Sequence, residues 1–126
     1  MTFYQEQIKR ISREIYPKDY LCQQVTKAKL FIDKNFANNI TLDDIAGEAF
    51  FSKFHFIRLF KTMYGRTPHQ YLASVRIRKA KQYLQKGMPV TQACLSVGFT
   101  SLSSFNKLFK KSTGFLPSSY KKKMRP

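Results

Sequence analysis

Residues 68–86, PHQYLASVRIRKAKQYLQK, are the stretch around which the rest of the chain is arranged. The stretch begins with proline, is followed by Gly87 and carries apolar residues at helical spacing, which predicts a connector helix. The sequence on its two sides repeats one pattern at a constant offset of 49: Phe56, Leu59, Phe60, Lys61, Gly65, Pro68 and Tyr71 return as Phe105, Leu108, Phe109, Lys110, Gly114, Pro117 and Tyr120. We therefore infer a duplicated unit joined by one helix.

Length and composition fit one compact domain or two very small ones. The 126 residues are 43% hydrophobic and include twelve phenylalanines, which is enough to form a core without disulfides or structural metals. No apolar run is long enough for a signal peptide or a membrane span, so we expect a cytoplasmic protein without a membrane partner. Cys22 and Cys94 lack His or acidic companions at metal spacing, so we interpret them as reduced core thiols and expect neither zinc nor any other cofactor.

The distribution of charge is more informative than its total. The net charge is +16, and all seven acidic residues lie in the first 48 positions, where seven basic residues balance them. Sixteen basic residues and no acid follow Glu48. An ordinary solvated surface mixes the two signs, so this arrangement indicates a polyanionic partner and favours nucleic acid.

The first unit is predicted to begin with a scaffold helix and to continue with two short helices. From Asp19, a candidate N-cap, an apolar stripe runs to Asn38-Asn39: Leu21, Val25, Ala28, Ile32 and Phe36. Thr41 caps a short helix with Asp43 and Asp44 in its first turn, and Phe50-Phe51 makes the turn that follows. Ser52 then caps the helix Lys53–Tyr64, whose predicted buried stripe is Phe56, Leu59, Phe60 and Met63.

The second unit repeats this plan. It begins at Pro89, with Val90, Ala93, Cys94 and Val97 predicted to point inward, and Gly98 makes the turn. A helix from Ser101 to Ser112 then buries Phe105, Leu108 and Phe109 before Gly114. The predicted organisation assigns 1–18 to an N-terminal extension with a short helix, 19–67 to the scaffold helix and first unit, 68–87 to the connector, and 88–126 to the second unit with a final short helix and a frayed basic tail, KKKMRP. Two short helices, a tight turn and a basic outer face are typical of a helix-turn-helix, whose second helix enters the major groove. The fold class is all-α.

Several segments closely resemble the DNA-binding domain of the AraC/XylS family of bacterial transcription regulators. They are ITLDDIA and FSKFHFIRLFK in the first unit, RIRKAKQYL in the connector, and ACLSVGFTSLSSFNKLFKKSTGFLPSSY in the second unit. The resemblance covers roughly residues 20–123 and is specific, because the whole motif is doubled. With no room expected for an effector domain, the chain looks like the stand-alone members.

The resemblance implies a sequence-specific regulator, most often an activator, that inserts two recognition helices, about 52–64 and 101–112, into adjacent major-groove segments of double-stranded DNA. Because both units lie in one chain, a monomer should read one asymmetric site, and RNA polymerase is a second candidate partner. The sequence departs from the family pattern at Ile57, where a polar base reader is common, and at Leu102 and Ser103, where a larger polar pair is usual. At Ile57 only apolar contact, for instance with a thymine methyl, remains, so specificity is expected to be modest or to depend on DNA shape.

The candidate DNA-binding residues occupy the outer faces of the predicted recognition helices and the connector: Ser52, Lys53, Phe54, His55, Ile57, Arg58, Lys61, Arg76, Arg78, Thr100, Ser101, Leu102, Ser103, Asn106, Lys107 and Lys110. Arg58 could read guanine or clamp a phosphate, and Phe54 could touch DNA or join the phenylalanine core. His55 is interpreted as a phosphate donor or surface residue. Of Arg76 and Arg78, one should brace the two units and the other face the DNA backbone.

Three other functions were weighed against this one. A non-specific nucleic-acid or RNA-associated protein is the main alternative, although the doubled helix-turn-helix disfavours it. A cationic membrane-active protein fits poorly, because the apolar stripes are short and separate. An enzyme is not expected, because the region after Glu48 has no carboxylate to act as a general base.

Overall fold

The computed structural model describes residues 18–49 and 52–124. Over these residues the chain is helical and contains no strand, which confirms the all-α class. The helices are α1 (Lys18–Asn35), α2 (Leu42–Ala49), α3 (Lys53–Tyr64), α4 (Pro68–Gln85), α5 (Val90–Ser96), α6 (Leu102–Thr113) and α7 (Pro117–Lys123). None of these helices combines the length and apolarity that a bilayer-spanning segment requires.

The chain divides into two compact units. Among the described residues, the first unit contains 18–34 and 40–70, and the second contains 35–39 and 71–124. The second unit thus takes in the short segment that follows α1 as well as most of α4. This division could not be read from the repeat, because residues 35–39 lie far in sequence from the rest of their unit.

The first unit is built around aromatic side chains of α3. Phe56 and Phe60 are fully buried, with ring centroids 5.6 Å apart in an edge-on arrangement. Tyr64 continues the stack at 4.9 Å from Phe60, and its hydroxyl lies 3.3 Å from that of Thr26 on α1. The predicted inward face of α1 is confirmed at its centre, where Val25, Ala28 and Ile32 have no exposed surface.

The second unit repeats the aromatic core. Phe105 and Phe109 are fully buried, and their ring centroids are 5.6 Å apart. Tyr120 of α7 packs edge-on against Phe109 at 5.3 Å. The remaining buried members of this core come from α4, from α5 and from the residue directly after α5: Ile77, Ala80, Leu84, Ala93, Cys94 and Val97. Burial raises the pKa of the Cys94 thiol, and Cys22 and Cys94 are both free cysteines.

Four sequence predictions need correction. Met63 is 37% exposed, because the last turn of α3 packs Tyr64 rather than Met63 against Phe60. Asp19 is not the N-cap of α1 but lies in its first turn, where the helix dipole also favours a carboxylate. Helix α1 ends at Asn35, before Asn38-Asn39. The basic tail is helical to Lys123 and not frayed from Lys121 onward.

Some predictions fall outside the described residues. They are the N-terminal short helix, the turn at Phe50-Phe51 and the last two residues of the tail. The sequence also predicts that Ala49 points inward from the short helix capped by Thr41, and its side chain likewise lies outside the described residues.

Candidate nucleic-acid interface

Helix α3 is fixed at both ends by local interactions that the sequence predicted. The Ser52 hydroxyl accepts a hydrogen bond from the backbone N–H of His55 at 3.3 Å, which is the N-cap arrangement. At the other end Gly65 adopts a left-handed conformation with φ of 73°, and its N–H donates to the Lys61 carbonyl at 2.8 Å. The side chains on α3 are therefore presented from a helix with defined ends.

The outer face of α3 carries basic side chains beside an exposed aromatic ring. Phe54 is 66% exposed, so the alternative that placed it in the core is wrong. Lys53, Arg58 and Lys61 are exposed, and Ile57 is half-buried. The structure thus brings a cation-rich face together with an apolar ring in the first turn.

His55 does not belong to this outer face. Its side chain is only 8% exposed, which overturns its interpretation as a surface phosphate donor. Burial lowers the pKa of the imidazole, because the charged form loses solvation. Of the three consecutive residues 54–56, the first is therefore exposed and the other two are buried. This pattern depends on which parts of the protein pack against each side of the helix.

Helix α2 faces α3 with an ion pair that the sequence analysis missed. The Nζ of Lys53 lies 2.9 Å from Oδ1 of Asp43. Thr41 caps α2, as predicted, and Asp44 completes a capping box with it: the Asp44 carboxylate accepts from the Thr41 N–H at 2.9 Å, and the Asp44 N–H donates to the Thr41 hydroxyl at 3.1 Å. The hydrogen bond with the backbone of Thr41 lowers the pKa of Asp44 most, and the hydrogen bond with the Thr41 side chain lowers it further.

Helix α6 of the second unit has the same construction as α3. Ser101 is its N-cap and accepts from the Ser104 N–H at 3.3 Å, and Gly114, at φ of 85°, closes the helix through the Lys110 carbonyl. The Ser101 and Ser103 hydroxyls lie 3.1 Å apart at this helix N-terminus. Ser101 thus caps α6, and it stays a candidate for contact with DNA.

The outer face of α6 is polar and basic. Leu102 is 43% exposed, and Thr100, Ser103, Lys107 and Lys110 are also exposed. Asn106 is half-buried, as is its repeat equivalent Ile57 in the first unit. Apart from Arg76 and Arg78 of α4, the candidate residues of each unit thus lie on a single recognition helix or at its start.

The two connector arginines have different surroundings. Arg78 is exposed, as a residue facing the DNA backbone would have to be. The Arg76 guanidinium donates from Nε to the Phe36 carbonyl at 2.8 Å and from Nη2 to the Asn38 carbonyl at 3.0 Å. Burial lowers the pKa of Arg76. These bonds lie within the second unit, so they tie α4 to the segment after α1.

One further capping interaction was present in the sequence and overlooked. At the start of α4 the Thr67 hydroxyl accepts from the Gln70 N–H at 3.1 Å, and the Gln70 side chain accepts from the Thr67 N–H at 3.0 Å. This reciprocal pair is a capping box, and its signature, Thr-x-x-Gln, is readable at residues 67–70. No local signature marks the Lys53–Asp43 pair, since its partners lie on different helices.

Comparisons with known proteins place these two units in a family. A protein-family sequence model, described as a helix-turn-helix domain, matches residues 45–123. The HTH-type transcriptional activator AarP of Providencia stuartii is 33% identical over 98 residues, which cover 77% of this chain and 73% of AarP. The crystal structure of a probable AraC family transcriptional regulator from Rhodopseudomonas palustris has a TM-score of 0.74 and 25% identity, and it covers 82% of this chain and 99% of that one.

The chain belongs to the AraC-type helix-turn-helix family of transcription regulators. It spans less than half the length of some curated relatives. One is the probable transcriptional regulator LumQ of Photobacterium leiognathi, with 33% identity over 91 residues, which cover 71% of this chain and 37% of LumQ.

Proposed function

We propose that this chain is a sequence-specific regulator of transcription, and an activator, that inserts α3 and α6 into adjacent major-groove segments of double-stranded DNA. The observation that carries the proposal is the matching construction of these two helices. Each is capped by a serine, ended by a left-handed glycine, and faced with exposed basic side chains. A helix with fixed ends and a cationic outer face suits the major groove.

We assign the contacts by chemistry and position. Arg58 and Lys107 occupy equivalent places in the two copies, both exposed, where each can read a guanine edge or bind a phosphate. The helix N-terminus at Ser101, with the hydroxyls of Thr100 and Ser103, suits a phosphate oxygen. Phe54, Ile57 and Leu102 offer apolar contact to thymine methyl groups.

The remaining candidates position the protein on the DNA backbone. Lys53, Lys61, Arg78 and Lys110 are exposed cations that can neutralise phosphates, and Ser52 and Asn106 can donate to them. Arg76 and His55 are weaker candidates, because the first is engaged with backbone carbonyls and the second is buried. RNA polymerase as a second partner and a cytoplasmic location accompany the proposal as expectations.

Selection from random duplexes tests the proposal, followed by binding titrations on the selected site. We expect enrichment of a discrete two-part motif, and Arg58→Ala and Lys107→Ala should each cost about 1 to 3 kcal/mol with melting temperature unchanged. Lys34→Ala removes an exposed charge from α1 and serves as the matched control. Binding should weaken with salt with a log–log slope near −5 to −7, for about six to eight neutralised phosphates.

A non-specific nucleic-acid-binding protein is the alternative, favoured by the sixteen basic residues after Glu48. It predicts no enriched motif, equal effects of Lys34→Ala and Arg58→Ala, and a steep salt dependence. A slope near −1 on duplex DNA would exclude both electrostatic models.

A further inference from the structure

The turn that leads into α6 is in close contact with the segment that follows α1. Gly98 occupies this turn with φ of +98°, a conformation that residues with a side chain rarely adopt. A Cβ atom at Gly98 would lie 2.9 Å from the Phe36 carbonyl oxygen and 3.1 Å from that of Ala37. The backbones of the turn and of this segment therefore touch directly, at a distance that only glycine permits.

Arg76 holds that segment in place. Its guanidinium uses two of its donors on the carbonyls of Phe36 and Asn38, at 2.8 and 3.0 Å. The flat fork of a guanidinium suits two such acceptors, whereas a lysine ammonium lacks this planar fork. The side chain is therefore bound at two points to the segment against which the turn rests.

The same guanidinium also reaches the other side of the turn. Its central carbon lies 5.7 Å from the ring centroid of Phe99, within the range of a cation–π contact. The Phe99 ring packs against Phe105 of α6 at 5.3 Å, and the Phe99 N–H donates to the Cys94 carbonyl on α5 at 3.1 Å. A chain of contacts thus runs from Arg76 through Phe99 to the helix proposed to read DNA.

We propose that Arg76 is a positioning residue for the second recognition helix, acting through the segment 36–38, the Gly98 turn and the Phe99 ring. The inference rests on the proposed function, because a displaced α6 matters only if α6 reads bases. It differs from a phosphate contact in one respect. The planar, bidentate shape of the side chain is required, and its positive charge alone does not suffice.

Two substitutions separate shape from charge: Arg76→Lys keeps the charge and removes the fork, and Arg76→Gln removes both. Each is titrated against the site selected by the wild-type protein and against duplexes with one altered base in either half. For the wild type, an altered base in the half read by α6 should weaken binding about tenfold or more. In both variants we expect that penalty to fall below about threefold, while penalties in the other half persist.

Amide hydrogen exchange without DNA provides a second readout that does not depend on the function. In both variants the amides of 98–104 should exchange faster, while those of 53–64 in the first unit keep their wild-type rates. Lys86→Gln, which removes an exposed charge just after α4, should change neither readout. If the wild-type protein selects no motif, the proposed function fails, and the exchange data still decide whether Arg76 positions the turn.

Two results would overturn the inference. The first is the signature of a phosphate contact. Arg76→Lys would then keep the wild-type penalties for altered bases, whereas Arg76→Gln would bind all duplexes more weakly by the same factor, with a salt slope smaller by about one. The other is unchanged exchange at 98–104, or a lower melting temperature without any change in the base penalties.

Discussion

The Nζ of Lys53 lies 2.9 Å from Oδ1 of Asp43, so the first residue of one helix in the first helix-turn-helix is paired with an acid on the preceding helix. Both side chains are well exposed, at 44% and 73%. An exposed pair of this kind contributes little to stability, about 0.2 to 1 kcal/mol. Its larger consequence concerns the interface, because Lys53 is a proposed phosphate contact whose charge is partly satisfied before DNA arrives.

Asp43→Asn should therefore tighten binding to duplex DNA. The substitution frees Lys53 and removes a negative charge near the proposed phosphate path, and we expect a gain of a few-fold at low salt that shrinks as salt is added. Asp33→Asn is the matched control, since Asp33 forms a similar pair with Lys29 at 3.2 Å within α1. Equal gains in the two variants, measured by titration, would mean that net charge alone is responsible.

Phe60→Ala should destabilise the protein by about 3 to 5 kcal/mol, because Phe60 has no exposed surface and its ring packs against Phe56 and Tyr64. Met63→Ala is the comparison, since Met63 lies on the same predicted stripe but is 37% exposed. We expect it to cost less than about 1 kcal/mol. Chemical denaturation measures both, and similar losses would contradict the assignment of the core.

The stability should depend on pH through His55. Burial places the folded pKa of His55 below its ordinary value of 6.5, so the folded state binds its proton less readily than the unfolded state. The contribution of neutral His55 to the free energy of unfolding is therefore complete above about pH 6.5, and it is lost as the pH falls through the lowered pKa of the folded state. His55→Gln should flatten the melting-temperature profile between about pH 7 and pH 5. His69→Gln alters an exposed histidine and is the matched control. A wild-type slope in His55→Gln would contradict the assignment.

The proposed mode of binding also predicts stoichiometry and phase. One chain contains both helix-turn-helix units, so we expect one chain per site and no need for a palindrome. Inserting about five base pairs between the two half-elements turns one groove to the opposite face of the duplex. We expect this to abolish simultaneous contact, because α4 runs without a break from the first unit into the second. Gel-shift titration would contradict the model if the shifted site bound equally well or if two chains were required.

The positions of the helices could be predicted because their signals are local. Ser52 and Ser101 begin recognition helices and Gly65 and Gly114 end them, and each of these four residues acts on backbone groups within four positions of itself. The repeat at an offset of 49 then related one unit to the other without structural information. The outer faces of α3 and α6 followed from helical periodicity, which fixes the angle of each side chain about its axis.

Helical periodicity does not show which side of a helix is covered by the rest of the protein. The tertiary structure decided which side chains are buried. Phe54 and His55 are neighbours on α3, yet the apolar ring is exposed and the imidazole is buried. Arg76 and Arg78 are two positions apart on α4, yet only the structure shows that Arg76 binds the carbonyls of Phe36 and Asn38. The sequence by itself therefore determined the two recognition helices, their serine caps and glycine ends, the duplication and the family. The burial of individual side chains and the pairing of distant ones were decided by the tertiary structure, because both depend on which groups the fold brings together; Arg76 and its two acceptors are 40 and 38 positions apart in the chain.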